Sequence, residues 1–217
     1  MLAIIQFLMR RSKEDKAASH ERIVNAAAAR IRESGTDQPS VAEVMQAAGL
    51  THGGFYKHFD SREELIDEAV ERALTESQST VAQMAQEADD PLAAFAEWYV
   101  STAHRDDPAN GCGVVALGAD VRRVGGAAQE AYRAQVDRYL AHLRSLMDDD
   151  DEDSRKRANV TLSAMVGAVM IARALGPTPR SDELLRDVRD AVRERRLLSD
   201  QPHQTATPAP GRTPART

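Results

Sequence analysis

Apolar positions along this chain recur at intervals of three and four, the spacing of one face of an α-helix, and nowhere in the strict alternation of a half-buried strand. Ile23, Ala27 and Ile31, with polar residues between them, predict an amphipathic helix from about His20 to Glu33, ended by Ser34-Gly35. A linker, Thr36 to Pro39, leads to Ser40, an N-cap with Glu43 three residues on to complete a capping box. Val41, Val44 and Met45 then supply the buried stripe of a second helix that stops near Ala48, at Gly49. Thr51 caps a third short helix through Phe59, and Ser61 with Glu64 forms another capping box that opens a long fourth helix towards Ala88. Three short helices precede a long one.

The periodicity continues to the far end. Asp90-Pro91 is a cap followed by a proline at the first helical position, so a fifth helix runs from Pro91 to about His104, with Leu92, Phe95 and Tyr99 on one side. Asp106 to Gly113 reads as a loop, Val114 to Val124 as a short helix closed by Gly125-Gly126, and Ala127 to Met147 as a longer one. The acidic run Asp148 to Asp153 lacks EF-hand spacing and its glycine. It reads as a solvated linker whose last residues suit the positive end of the next helix. Helices over Ser154 to Leu175 and Ser181 to Leu198 form a hairpin broken by Gly176-Pro177-Thr178-Pro179, and from Ser199 onward apolar periodicity disappears, which predicts disorder. The pattern thus gives an all-α chain of about nine helices. It divides into a flexible arm (1–18), a three-helix domain (19–65), a larger helical domain (66–198) and a tail (199–217).

Composition adds what such a chain can meet. With 217 residues and 42% hydrophobic content a real core can form, and the net charge of −6 is unevenly spread. Residues 1–62 carry nine Lys/Arg against seven Asp/Glu, and the remainder nineteen against twenty-seven, so only the front end suits a polyanion. Cys112 is the single cysteine, which excludes an internal disulfide and a Cys-rich zinc site and fits a reducing cytoplasm. The apolar run Met1 to Met9 is followed, not preceded, by Arg10 and Arg11, the wrong order for a signal peptide, and it is too short to span a bilayer. A start at Met9 explains it more simply than a membrane anchor. No other segment reads as transmembrane, since Arg173 interrupts the apolar stretch Val160 to Leu175.

The chemistry of an enzyme is not written here: the chain has no G-x-S-x-G elbow, no G-x-x-x-x-G-K phosphate loop and no H-E-x-x-H, and His104, Cys112 and His142 lack the spacing of a triad or metal site. No cofactor or metal is expected. The informative stretch is Ser40 to Phe59, S-V-A-E-V-M-Q-A-A-G-L-T-H-G-G-F-Y-K-H-F. A helix-turn-helix needs a sharp turn that a residue without a Cβ makes cheaply, and Gly49 is placed for it, with Leu50 filling the angle between helices. Thr51, His52 and Gly54 fall in the first turn of the third helix, the part that reaches base edges, while Lys57 can neutralise a phosphate. Phe55 and Phe59, four apart, read as core anchors.

From Ile23 to Ile66 the sequence resembles the tetracycline-repressor (TetR) family of regulators, on Ile23, Ala26, Ala27 and Gly35 and on the run A-G-L-T-H-G-G-F-Y-K-H-F-D-S-R-E-E-L-I. The resemblance implies that Tyr56 and Lys57 contact phosphates, that Ser40 supports the backbone at the start of the second helix, and that Thr51, His52 and Gly54 face the groove. Two features depart from the family pattern: glycine at both 53 and 54, and His52 in place of a commoner lysine. Both leave the operator sequence open.

Beyond the fourth helix the resemblance is architectural. It implies a ligand-binding domain that answers to a small molecule, with Met84, Phe95, Trp98, Tyr99, Cys112 and Tyr132 as candidate pocket residues that plain core packing would equally bury. Cys112, in a glycine-rich loop at a helix start, is a candidate redox sensor or simply a small buried residue. The terminal hairpin offers Ala164, Gly167, Ala168, Ile171, Leu184, Leu185, Val188 and Val192 for a four-helix homodimer interface. The implied whole is a ligand-responsive repressor that binds double-stranded DNA at a palindromic operator and is released by its effector.

Overall fold

A computed structural model describes residues 2–76, 88–147, 152–195 and 197. Among them every regular element is helical. Helix α1 (Leu2–Ser34) begins well before His20, because from Lys13 to Ser34 the chain holds neither proline nor glycine and is rich in Ala, Arg, Lys and Glu. The charged segment after Arg10 is therefore helical and continuous with the core helix. Gly35, at φ +83°, ends it.

Helix α2 (Val41–Ala47) and a 3-10 segment (His52–Lys57) follow, then α3 (Arg62–Thr75). The rest of the fourth helix expected towards Ala88, Met84 included, lies largely outside the described residues, as do Asp148 to Asp151 and the tail from Ser199. Helix α4 (Pro91–Tyr99) is capped by Asp90, whose Oδ1 accepts from the Ala93 amide at 3.1 Å. The helix expected from Pro91 to His104 is broken: fully buried Val100 leaves the helical region, and Ser101 Oγ accepts from His104 N to start α5 (Thr102–Asp106). The helix expected over Val114 to Val124 is also two, α6 (Gly113–Leu117) and α7 (Val121–Val124), because the chain turns at Gly118 to Asp120. A Cβ on Gly118 would stand 3.0 Å from the Tyr132 hydroxyl. Helices α8 (Gly126–Ser145), α9 (Glu152–Leu175) and α10 (Pro179–Arg193) complete the order. Glu152 and Asp153 occupy the first turn of α9, where a helix favours negative charge.

Helix α1 packs along α3 and across α2, and α3 continues into the second half of the molecule to meet α6 and α8. There α9 pairs with α10 and rests on α8, while α10 covers α4. One contiguous core runs from Ile23 to Val192 through α3, whose Leu65 and Ile66 lie among the first helices and whose Ala73 and Leu74 lie among the later ones. Contrary to the sequence expectation, α9 is long and apolar enough to cross a membrane by composition alone. Its Ala158, Thr161, Leu162, Met165, Ala168, Val169 and Ala172 are instead buried within this bundle.

Candidate nucleic-acid interface

The turn between α2 and the 3-10 segment is built by its ends. Ser40 Oγ accepts from Glu43 N at 3.3 Å, and the Glu43 carboxylate accepts from Ser40 N at 2.9 Å and from the Ser40 hydroxyl at 2.8 Å. At the other end, Leu50 N donates to Met45 O at 2.8 Å and Gly49 N to Gln46 O at 3.0 Å, with Gly49 at φ +72°, which is a Schellman close that a side chain would strain. Fixed this way, α2 can send the chain off sharply. Phe55 and Phe59, each 2% exposed and stacked at 5.5 Å, anchor the following segment to the core. Losing either ring would cost on the order of 3–5 kcal/mol.

The segment that carries the proposed base contacts is a 3-10 helix, not the α-helix expected from Thr51 to Phe59. Gly54 N donates to Thr51 O and His58 N to Phe55 O, and the i to i−4 pattern returns only at Phe59 N to Phe55 O, 3.2 Å. Adjacent glycines at 53 and 54 explain this, since each weakens an α-helix by roughly 1 kcal/mol. Thr51 is the N-cap residue, but its hydroxyl makes no capping bond. Thr51, His52 and Lys57 are exposed and Tyr56 is 75% exposed, so four of the sequence candidates share the outer surface. Gly54 differs: half-buried, with Met45 Cε 3.5 Å from where a Cβ would be, it lets the segment pack on α2. At Ser61 the second capping box is modified, because Glu64 N donates to Ser61 Oγ while the Glu64 carboxylate takes the Asp60 amide.

Positive charge gathers beside these residues. His58 is held below the ordinary imidazole range, first by burial and then by His20, Lys16 and Lys57. The helical extension of α1 thus brings Lys16 to the same end of the molecule as Lys57. His20 donates to Glu68 at 2.8 Å and stacks on Phe59 at 4.6 Å, which ties that extension to α3. Among the described residues no cluster of His, Cys, Asp or Glu could hold a metal.

A family model for bacterial regulatory proteins of the tetR family matches residues 23–69, the span containing this turn. Over these residues the chain is similar to the TetR family. It is 30% identical over 87 residues to the HTH-type transcriptional regulator TtgR of Pseudomonas putida, 39% of this chain and 41% of that protein. It is 36% identical over 59 residues to the uncharacterized HTH-type regulator YvdT of Bacillus subtilis, 27% and 30% of the two chains. The chain thus spans less than half the length of these curated relatives. In fold, a TetR transcriptional regulator from Chloroflexus aurantiacus superposes with a TM-score of 0.71, over 83% of this chain and 97% of that one, at 23% identity.

The first three helices are bolted to the rest by contacts that periodicity does not announce. Arg62 Nη2 donates to the carbonyls of Thr36, Asp37 and Pro39 at 2.8, 3.3 and 3.4 Å, which holds the loop before α2. Asp120, from the turn before α7, accepts the buried Thr36 amide at 3.0 Å and pairs with Arg123 at 2.5 Å. A side chain at Gly35 would come within 2.7 Å of the same carboxylate. Arg32, buried on α1, donates to Ala109 O and pairs with Glu76 at 2.7 Å. Gly113 lets α6 lie directly on the backbone of α3, since a Cβ there would fall 2.5 Å from Ala73 O.

Among the described residues the expected ligand candidates are packed against one another, and Met84 lies outside them. Phe95, Tyr99 and Cys112 are at most 2% exposed, and Phe95 touches Trp98, Tyr99, Tyr139 and His142 ring to ring. Tyr99 O–H donates to Cys112 Sγ at 3.3 Å, with the Tyr139 hydroxyl at 3.4 Å on the same sulfur. Half-buried Tyr132 donates to Val114 O. A cavity of about 210 Å³ lies instead at Leu92, Met147, Arg157, Thr161, Val192, Arg195 and Leu197. Of the expected dimer residues, Ala168, Leu185 and Val192 are consumed by the chain's own core, at 2–3% exposure. Ala164, Gly167, Leu184 and Val188 are half-buried, and Ile171 is exposed beside Met170, Leu175 and Val160, which the sequence reading missed. Their i, i+3, i+4 spacing down α9 was the signal available.

Proposed function

We propose that this chain is a cytoplasmic DNA-binding transcription regulator that acts without cofactor, metal or membrane. Two copies pair, their Thr51-to-Lys57 segments enter successive major grooves about 34–36 Å apart on a palindromic operator, and a small molecule releases the repressor. The observation that carries this reading is the exposed group Thr51, His52, Tyr56 and Lys57, presented on a turn closed by the Ser40–Glu43 box and the Gly49 cap. Thr51 and His52 read bases, Tyr56 and Lys57 hold phosphates, and Ser40 fixes the start of α2. Pairing uses the α9 face, where Ile171 and Leu175 are 44–47% exposed and Gly167 leaves room for a neighbouring backbone.

Selection of bound fragments from random DNA tests it, and the expected product is a palindrome with half-sites one helical turn apart. Lys57→Ala should weaken all sequences alike and lower the salt slope by about one, while Thr51→Ala should cost about 1–3 kcal/mol on the selected site. A monomer in solution, or indifference to every duplex in modest salt, refutes the reading.

A further inference from the structure

Three arginines are drawn into the base of the C-terminal domain, and they are not equally matched. Arg32 pairs with Glu76, and Arg105 with Asp106 and Asp182. Arg173, in the last turn of α9, has no ion pair among the described residues. Its Nη2 donates to the His104 carbonyl at 2.8 Å, and its buried Nε meets no acceptor. Desolvation pulls its pKa below the ordinary arginine value and Arg32 adds to the fall, while Cys112, Tyr99 and Asp107 oppose it without making up the loss. The neighbouring imidazole of His104 is neutral and supplies no counter-charge. The room for the guanidinium is made by Gly111, where a Cβ would overlap Nη2. The end carbonyls of α9 offset part of the charge only.

Arg173 opens onto a crevice of about 440 Å³ whose other walls include Pro108, Val115, Ala116, Met170 and Pro177. Two acids also border it, and both have partners: Glu33 with Arg30 at 3.4 Å and Asp106 with Arg105 at 2.7 Å. A cation short of an anion beside an apolar wall matches one kind of molecule. We infer that the crevice binds an organic anion, its carboxylate or phosphate head on Arg173 and its apolar body against Val115, Ala116 and Met170. Arg32 of α1 borders the same crevice and also donates to Ala109 O, so an occupant would lie against the joint between α1 and the rest of the chain. That last consequence, effector control, rests on the DNA-binding reading, whereas the binding itself does not.

The test is calorimetric titration of the full chain with sodium octanoate, octyl phosphate and, as the uncharged probe, octanol. Both anions or one should bind, and octanol should bind at least roughly tenfold more weakly. Arg173→Met should weaken the anion roughly ten- to a hundredfold, the range of a hydrogen bond to a charged group, and Arg173→Lys should keep part of the affinity. The ranking of octanoate against octyl phosphate assigns the head group. Arg157→Met, in the separate cavity of about 210 Å³, should leave binding unchanged. The inference is overturned if neither anion binds up to about 5 mM, if octanol equals them, or if Arg157→Met rather than Arg173→Met removes binding. Should Arg173→Met fail to fold, the octanol comparison and Arg173→Lys still decide. Loss of DNA binding in the unliganded protein would sink the regulatory reading and leave this one standing.

Discussion

Acid should unfold this protein through His104 before its carboxylates titrate. The ring is 8% exposed, its Nδ1–H donates to Tyr99 O at 2.6 Å, and its Nε2 accepts the Cys112 amide at 2.9 Å. A proton on Nε2 would place two donors face to face. Burial pushes its pKa down to about 4, with Arg173 adding to the fall and the Tyr99 carbonyl and Asp107 opposing it. As the pH drops past about 6.5 the unfolded chain takes up a proton that the folded ring refuses until about 4, so stability is full at neutral pH and declines across that window. By pH 4.5 the loss from this one residue is roughly 2–3 kcal/mol. The depressed His58 and His142 add to the wild-type slope in the same direction, so a comparison is required. His104→Gln keeps a donor and an acceptor and cannot titrate. Urea denaturation at pH 7.5, 6.5, 5.5 and 4.5 should show the variant losing about 2 kcal/mol less than wild type between the ends of the series. Parallel losses in the two proteins would refute the reasoning, as would a folded His104 that titrates by NMR above pH 6.

Four shorter predictions follow from single contacts. Gly113→Ala drives a methyl into the Ala73 carbonyl and should cost about 1–3 kcal/mol in denaturation midpoint analysis; a wild-type midpoint would show that α6 is not seated on α3 as described. Asp120→Ala strands the buried Thr36 amide and should lower stability by about 1–3 kcal/mol, with faster hydrogen exchange confined to the loop before α2. Ser40→Ala should cost about 1 kcal/mol and Ser40→Thr much less, read by thermal melting; equal losses would exclude the capping bond as the cause. Cys112, 1% exposed beneath two tyrosine hydroxyls, should react with a thiol reagent only on opening of the fold, and rapid labelling of the native protein would restore the sensor reading.

The helix-turn-helix was legible because its determinants are local. A capping box, a positive-φ glycine and two phenylalanines four apart act within a few residues of one another, so their meaning survives in one dimension. Propensity alone also carried the helical class, and it should have extended α1 past His20. What propensity could not supply was where helices break: Val100 and the Gly118-to-Asp120 turn depart from helix because of Ser101, Tyr132 and Thr36, partners that lie near or far in sequence but meet only in the packed chain.

The C-terminal half shows the boundary more sharply. Periodicity marks which residues are apolar, yet an apolar helix face can meet its own core or a second molecule with equal profit, so Ala168 and Ile171 look alike in the sequence and differ in the fold. The same holds for charge. Arg32, Arg105 and Arg173 are indistinguishable letters, and only three-dimensional packing gives two of them ion pairs and leaves the third, among the described residues, with a carbonyl. Sequence alone therefore determined the helices and the helix-turn-helix turn, through interactions between near neighbours. Tertiary structure decided which apolar faces remain open and which inward-drawn arginine has no ion pair among the described residues, because burial and pairing are properties of residues far apart in the chain.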